Sequence, residues 1–267
     1  MNQHFARTSK QCVARLLLLF TLAASSWATA EPLAYIAIII DDLGHSKKQG
    51  EAFIEIPAPL TFAILPHTAH SQSIATSAHA AQKEVMIHLP MANLQNIPIG
   101  PGGLRASLPR SEFLLALDAA IADVPFAKGI NNHTGSYLTQ RREEMSWLMT
   151  EMKKQELFFI DSRTTEKSVA GEVAREHAVI SSSRDVFLDN QRREADIDAA
   201  FQKLVAKAKV QGTAIGIGHP YPETLSYLAK TIPTLEAEGI RVLPASSLIA
   251  MQQQGSETTR VAANTAQ

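Results

Sequence analysis

Short runs of apolar, β-branched residues alternate along this chain with longer stretches in which apolar residues recur at helical spacing. The runs expected as strands are Leu33–Ile40, Leu60–Leu65, Val85–His88, Gly129–Asn131, Leu157–Ile160, Ala178–Ser181, Thr213–Ile217 and Ile240–Leu243. The first, LAYIAIII, is apolar at nearly every position, as a strand of a parallel sheet must be when both its faces are covered. In Glu143–Lys154 the apolar residues Met145, Leu148, Met149 and Met152 fall at i, i+3, i+4 and i+7. Ile197, Phe201, Leu204, Val205 and Ala208 give Glu194–Val210 the same helical stripe. Strand followed by helix, repeated about seven times, predicts an α/β fold with parallel strands and right-handed crossovers. A chain of 267 residues is long enough for one βα barrel, and no shift of composition divides it.

The ends of the chain depart from this pattern. Residues 1–15 carry Arg7, Lys10 and Arg15 with no acid, Leu16–Ala24 form a short apolar run, and Ala28–Ala30 are small. That order is the signature of a secretory signal peptide over residues 1–30, cut after Ala30. The run is well short of the ~20 residues that span a bilayer. The mature domain is expected over residues 31–251, with no further membrane span and a periplasmic or secreted location. From Gln252 onward the sequence turns small and polar, predicting a disordered tail over 252–267. Between the helical stretches, Gln95–Pro109 is rich in Pro and Gly. A loop of that length is more often functional than incidental, and a wall of the site is expected there.

Composition removes several classes of function. The sole cysteine, Cys12, lies in the leader, so the mature chain has no thiol for a disulfide, a nucleophile or a cysteine zinc site. Removing the three leader cations leaves acids in excess, and no basic stripe suggests nucleic acid. The oligomeric state is not legible. G-x-S-x-G is missing, as are the G-x-x-x-x-G-K-[ST] and G-x-G-x-x-G loops, which removes the usual serine-hydrolase elbow and nucleotide signatures.

The chemistry lies in the residues just after each strand: Asp41 and Asp42, His67, His88, His133, Asp161, Asp185 and Asp189, then His219. In a parallel barrel all these ends open on one face, where active sites are built. Taken singly, each is an ordinary loop or capping residue. Asp41–Asp42 is the sharpest signal, because two adjacent acids closing a buried strand repel each other unless something positive lies beside them. One acid on a metal would leave the other free as a base. With His88 and His133, one carboxylate makes an open three-ligand site. AIGIGHP brings His219 out of a glycine-rich strand, where close approach to a ligand is sterically easy. FFIDSRT offers Asp161 and Arg163, while His67 and His70 form a weaker H-x-x-H pair.

IIIDDLG, EVMIHLPM, GINNHTGS, FFIDSRT, RDVFLDN and AIGIGHP, in this order, resemble the divergent polysaccharide deacetylase family, over roughly Ala34 to Ser247. The resemblance implies a distorted (β/α)-barrel and metal-dependent removal of acetyl groups from an N- or O-acetylated glycan. It implies Asp41 as base, Asp42 as metal ligand, His88 as the first metal histidine and His219 as the late catalytic histidine. The main branch of the superfamily takes its second metal histidine from H-x-x-x-H, but Ala92 stands four residues after His88. His133 is therefore expected as the second, with His67 the alternative. Asp161 or Asp189 is expected to orient His219, with Asp161 placed among the catalytic residues and His67, Arg163 and Asp189 against substrate. The ligand set suits zinc best among divalent metals. A glycan-binding or envelope-assembly protein that keeps the barrel without turnover is the alternative.

Overall fold

The computed structural model describes residues 34–254; the expected leader and its cleavage point lie outside them. Among the described residues the strands and helices run β1 (Ala34–Leu43), α1 (Lys47–Ile54), β2 (Thr61–Ile64), α2 (Ser71–Ala80), β3 (Glu84–Met91), α3 (Arg110–Asp123), β4 (Ala127–Thr134), α4 (Arg142–Lys154), β5 (Phe158–Asp161), α5 (Ala170–Glu176), β6 (Ser181–Ser183), β7 (Val186–Phe187), α6 (Glu194–Gln211), β8 (Thr213–Gly218), α7 (Pro222–Thr231) and β9 (Ile240–Val242), followed by a C-terminal helix. Every strand pairing is parallel, in the order β6-β5-β4-β3-β2-β1-β8-β7, with β9 against the start of β1. The sheet curls into a barrel. Its two margins are stitched by consecutive residues, the Arg184 amide donating to Asp161 O and the Asp185 amide to Ile215 O.

Strand alternation divides the apolar residues into two cores. From β1, Ile36, Ile38 and Ile40 pack toward the helices, whereas Ala37 and Ile39 point into the barrel with Ala63, Met86, Phe158, Ile160, Ile215 and Ile217. Ala245, Leu248 and Ile249 of a C-terminal helix fill the inner core from below. Residues 245–254 are helical, so 252–254 belong to this helix rather than to a tail. Gln252 bonds Ser182 on β6 and Thr213 on β8 across the seam.

Several expected boundaries move for physical reasons. Pro90 lies inside β3 instead of ending it. Pairing with β2 stops at Ile87, so the amide that proline lacks faces no partner there. Ala178 takes a left-handed φ of 53° and is not strand; β6 starts at Ser181. No helix separates β6 from β7, and the two-residue β7 is too short to stand out in the sequence.

Candidate metal centre and acid–base site

The acidic pair reaches one side of the sheet through a break in β1. Neighbouring residues of a regular strand point to opposite faces. Register with β2 slips between Ile40 and Leu43, and Asp42 has a φ of 55°, a conformation costing a non-glycine residue about 1 kcal/mol or more. Both carboxylates then approach the same atom: His88 Nε2 is 3.6 Å from Asp41 Oδ2 and 3.1 Å from Asp42 Oδ1.

His88 and Asn131 are register partners on β3 and β4, as are Pro90 and His133, so His88, Asn131 and His133 share the inner face. His133 Nδ1 lies 2.9 Å from Asp42 Oδ1 and 3.0 Å from His88 Nε2. These three residues, Asp42, His88 and His133, form the group among the described residues that can hold a metal ion, their ligand atoms all within 4.8 Å of one another. The fit is tested by Asp42 Oδ1, which is buried yet has no hydrogen bond of good geometry. An oxygen that faces two ring nitrogens at 2.9 and 3.1 Å suits a cation shared among the three. One carboxylate and two imidazoles are a zinc-type donor set.

Asn131, fully buried, carries no signal of its own in the sequence. Its Nδ2 donates to Asp41 Oδ1 at 2.7 Å, and its Oδ1 lies 2.7 Å from His88 Nδ1. Because an amide oxygen only accepts, this bond places the His88 proton on Nδ1 and turns Nε2 toward Asp42. Burial raises the Asp41 carboxyl above the usual range, although His88, His219 and the Asn131 bond pull the other way. Burial also opposes ionisation of Asp42, but His133 and His88 outweigh it and hold this carboxyl far below the usual range. Burial disfavours a charged His88, yet Asp41 and Asp42 raise it to about 9.

His219 lies just past β8 and is held by Asp189. The Asp189 carboxylate lies 2.8 Å from its Nδ1, accepts its backbone N–H at 2.6 Å, and accepts Thr224 Oγ1 at 2.7 Å. Burial lowers the His219 pKa, but Asp189, Asp41 and Asp42 together raise it above the ordinary value. The glycines of this strand serve packing, contrary to the expectation of ligand access. A Cβ at Gly216 would sit 2.7 Å from Leu204 of α6, and one at Gly218 only 3.2 Å from Thr224.

The remaining expected site residues lie elsewhere. Phe158 and Ile160 point inward, so Asp161 points outward, where its oxygens accept the Arg163 amide and Ser168 Oγ. It does not hold His219; Asp189 does. Asp189, expected against substrate, has both oxygens engaged by His219 and Thr224 and is buried. Arg163 is exposed and lines, with Asp161 and Ser168, a hollow of about 360 Å³ that none of the metal-capable residues borders. His67 joins no metal-capable group among the described residues. Its amide donates to Asp123, and its ring packs against Gly102 of the Pro/Gly loop. That loop is a wall, as expected: Pro98, Ile99, Gly100 and Pro101 line a cavity of about 240 Å³ with Asp42, His45 and His133.

Residues 38–249 match the divergent polysaccharide deacetylase family. The uncharacterized protein YibQ of Escherichia coli K12 is 36% identical over 214 residues, 80% of this chain and 67% of its own length. The crystal structure of an uncharacterized protein from Agrobacterium tumefaciens C58 superposes with a TM-score of 0.77 at 22% identity, covering 80% of this chain and 89% of that one. The peptidoglycan deacetylase PdaC of Bacillus subtilis shares the fold at a TM-score of 0.53 and 13% identity, covering 85% and 96%.

Proposed function

The chain belongs to the divergent polysaccharide deacetylase family, and from that premise we propose that it is an exported, metal-dependent hydrolase removing acetyl groups from an N- or O-acetylated polysaccharide. The observation that carries this reading is the convergence of His88 Nε2 and His133 Nδ1 on Asp42 Oδ1, a buried oxygen with no hydrogen bond of good geometry. Among the described residues no helix is long and apolar enough to cross a membrane. The leader-like residues 1–30 support delivery to the periplasm or beyond the cell.

A divalent metal held by Asp42, His88 and His133, with zinc the best-suited ion, would supply Lewis acidity, polarising a carbonyl and making water a better nucleophile near neutral pH. Asp41, buried with a raised pKa, takes a proton from the attacking water. Asn131 keeps that carboxylate and His88 in fixed relation. His219, held by Asp189 and carrying a proton above the ordinary histidine range, delivers it to the leaving amine or alkoxide. The proline-rich wall restricts access to the cavity.

The test is Asp42→Ala, with metal content and acetate release measured on N-acetylated chitooligosaccharides and peptidoglycan fragments. Both are expected to vanish, and unchanged metal stoichiometry would refute the ligand assignment. Tight glycan binding by the unaltered, metal-loaded chain with no acetate released would favour a binding protein on the same barrel.

A further inference from the structure

A row of planar groups crosses the barrel mouth at the seam and, His219 apart, has no part in the chemistry above. The Arg184 guanidinium lies 3.8 Å from the centre of the Phe187 ring, and Phe187 stacks on His219 at 6.0 Å. Tyr221 lies 5.6 Å beyond His219, with the Arg192 guanidinium 4.4 Å from its centre. The two arginines differ. Arg192 is exposed and already chelates Glu223 through both carboxylate oxygens. Arg184 is half-buried, and among the described residues its guanidinium makes hydrogen bonds only to the backbone carbonyls of Ser162 and Arg163. It has no ion pair among the described residues.

The acids nearest Arg184 are occupied. Asp185 pairs with Lys207 at 2.9 Å and accepts the Ile215 amide, while Asp161 is bonded to the Arg163 amide and Ser168. Asp41, whose charge Arg184 also senses, is bonded to Asn131. Arg184 and Phe187 also border a groove of about 810 Å³ running along α6 past Asn190, Gln191 and Lys203. It lies where β7 follows β6 with no helix between them. Its other acid, Asp196, is bound by Arg193, so Arg184 and Lys203 are its cations without an ion-pair partner among the described residues.

We infer that this groove receives the glycan strand on one side of the reacting sugar, and that Arg184 binds an oxyanion carried by that strand. The substrate class is thus an acidic glycan, bearing a carboxylate or phosphate on a residue neighbouring the acetylated one. A guanidinium held over an aromatic ring, with donors left over, matches such a group. The inference rests on the deacetylase reading for the site, and its test separates the two.

Isothermal titration of the full chain, with zinc added, compares an oligosaccharide of alternating N-acetylglucosamine and glucuronic acid with its carboxyl-reduced form. A phosphorylated chitooligosaccharide is set against the plain one, and acetate release is followed in parallel. The acidic probe of at least one pair is expected to bind about tenfold or more tighter than its neutral counterpart, the range of a charge-assisted hydrogen bond. Arg184→Gln is expected to remove most of that preference. Lys203→Glu, an exposed change on α6 that does not depend on the seam, is expected to reduce it. Equal binding of acidic and neutral probes, or a preference that survives both variants, overturns the inference even if acetate is released. A preference lost in Arg184→Gln without acetate release upholds the acidic-glycan groove and refutes deacetylation.

Discussion

His88 and Asn131 stand opposite each other on β3 and β4, and the 2.7 Å contact from His88 Nδ1 to Asn131 Oδ1 decides which ring nitrogen faces Asp42. Asn131→Ala removes that constraint and strips Asp41 of its amide donor. Zinc affinity should fall by about 10- to 100-fold, the usual cost of losing a partner behind a metal ligand. Competition with a chromophoric chelator measures it, and imidazole ¹⁵N shifts of the metal-free variant above about pH 9 should show neutral His88 no longer fixed in its Nδ1–H form. An unchanged affinity would mean that β3 and β4 alone orient the ring.

Metal binding should expel a proton. Asp41 and Asp42 outweigh burial and push the His88 pKa up to about 9, so the metal-free protein should carry a proton there at neutral pH. A ligand must be unprotonated, so apparent affinity should rise roughly tenfold per pH unit toward that value. Titration in buffers of different ionisation enthalpy would reveal the released proton.

The same shift sets a stability window for the metal-free chain. The His88 pKa is raised on folding, so its contribution is complete below 6.5 and is lost as pH rises through about 9. Asp42 acts oppositely: its pKa is depressed, so its contribution is present above 3.8 and is lost as pH falls toward the folded value. Thermal unfolding of chelator-treated protein should show Tm declining between pH 6.5 and 9, and saturating zinc should flatten the decline.

Asp189→Asn leaves the side chain's shape nearly intact but sets amide hydrogens against donors from His219 and Thr224. Activity should drop by about 100-fold or more, the scale of a misplaced general acid, while zinc content stays constant. Asp161→Asn is the control, with a smaller effect on turnover, because Asp161 faces Arg163 and Ser168 instead.

The barrel floor should affect stability without affecting chemistry. Buried Glu84 accepts from Thr61, the Ser246 amide and the Ser246 hydroxyl, tying the C-terminal helix to β2 and β3. Glu84→Ala should cost about 3 kcal/mol in denaturant unfolding, because buried donors lose their acceptor. Zinc affinity of the folded protein should be unchanged, since the metal-capable residues lie at the opposite strand ends.

Much of this protein is written in one dimension. Apolar runs of strand length alternating with helical stripes point to a parallel α/β fold, because a strand as apolar as LAYIAIII calls for cover on both faces of its sheet. Reactive residues recurring at strand ends locate the working face, and the proline-rich segment marks its wall. Strand alternation even contains the fate of Asp161: with Phe158 and Ile160 inward, the next odd step turns outward. Tertiary structure decided what depends on register and on breaks in register. Asn131 reads locally as the last residue of a short strand, and its role exists only because β4 sets it beside His88 and within reach of Asp41. Asp41 and Asp42 face one histidine only because the chain takes a left-handed step at Asp42. The choice of Asp189 over Asp161, and of His133 over His67, was likewise made by packing between segments distant in sequence. Local propensity carries no information about such distances.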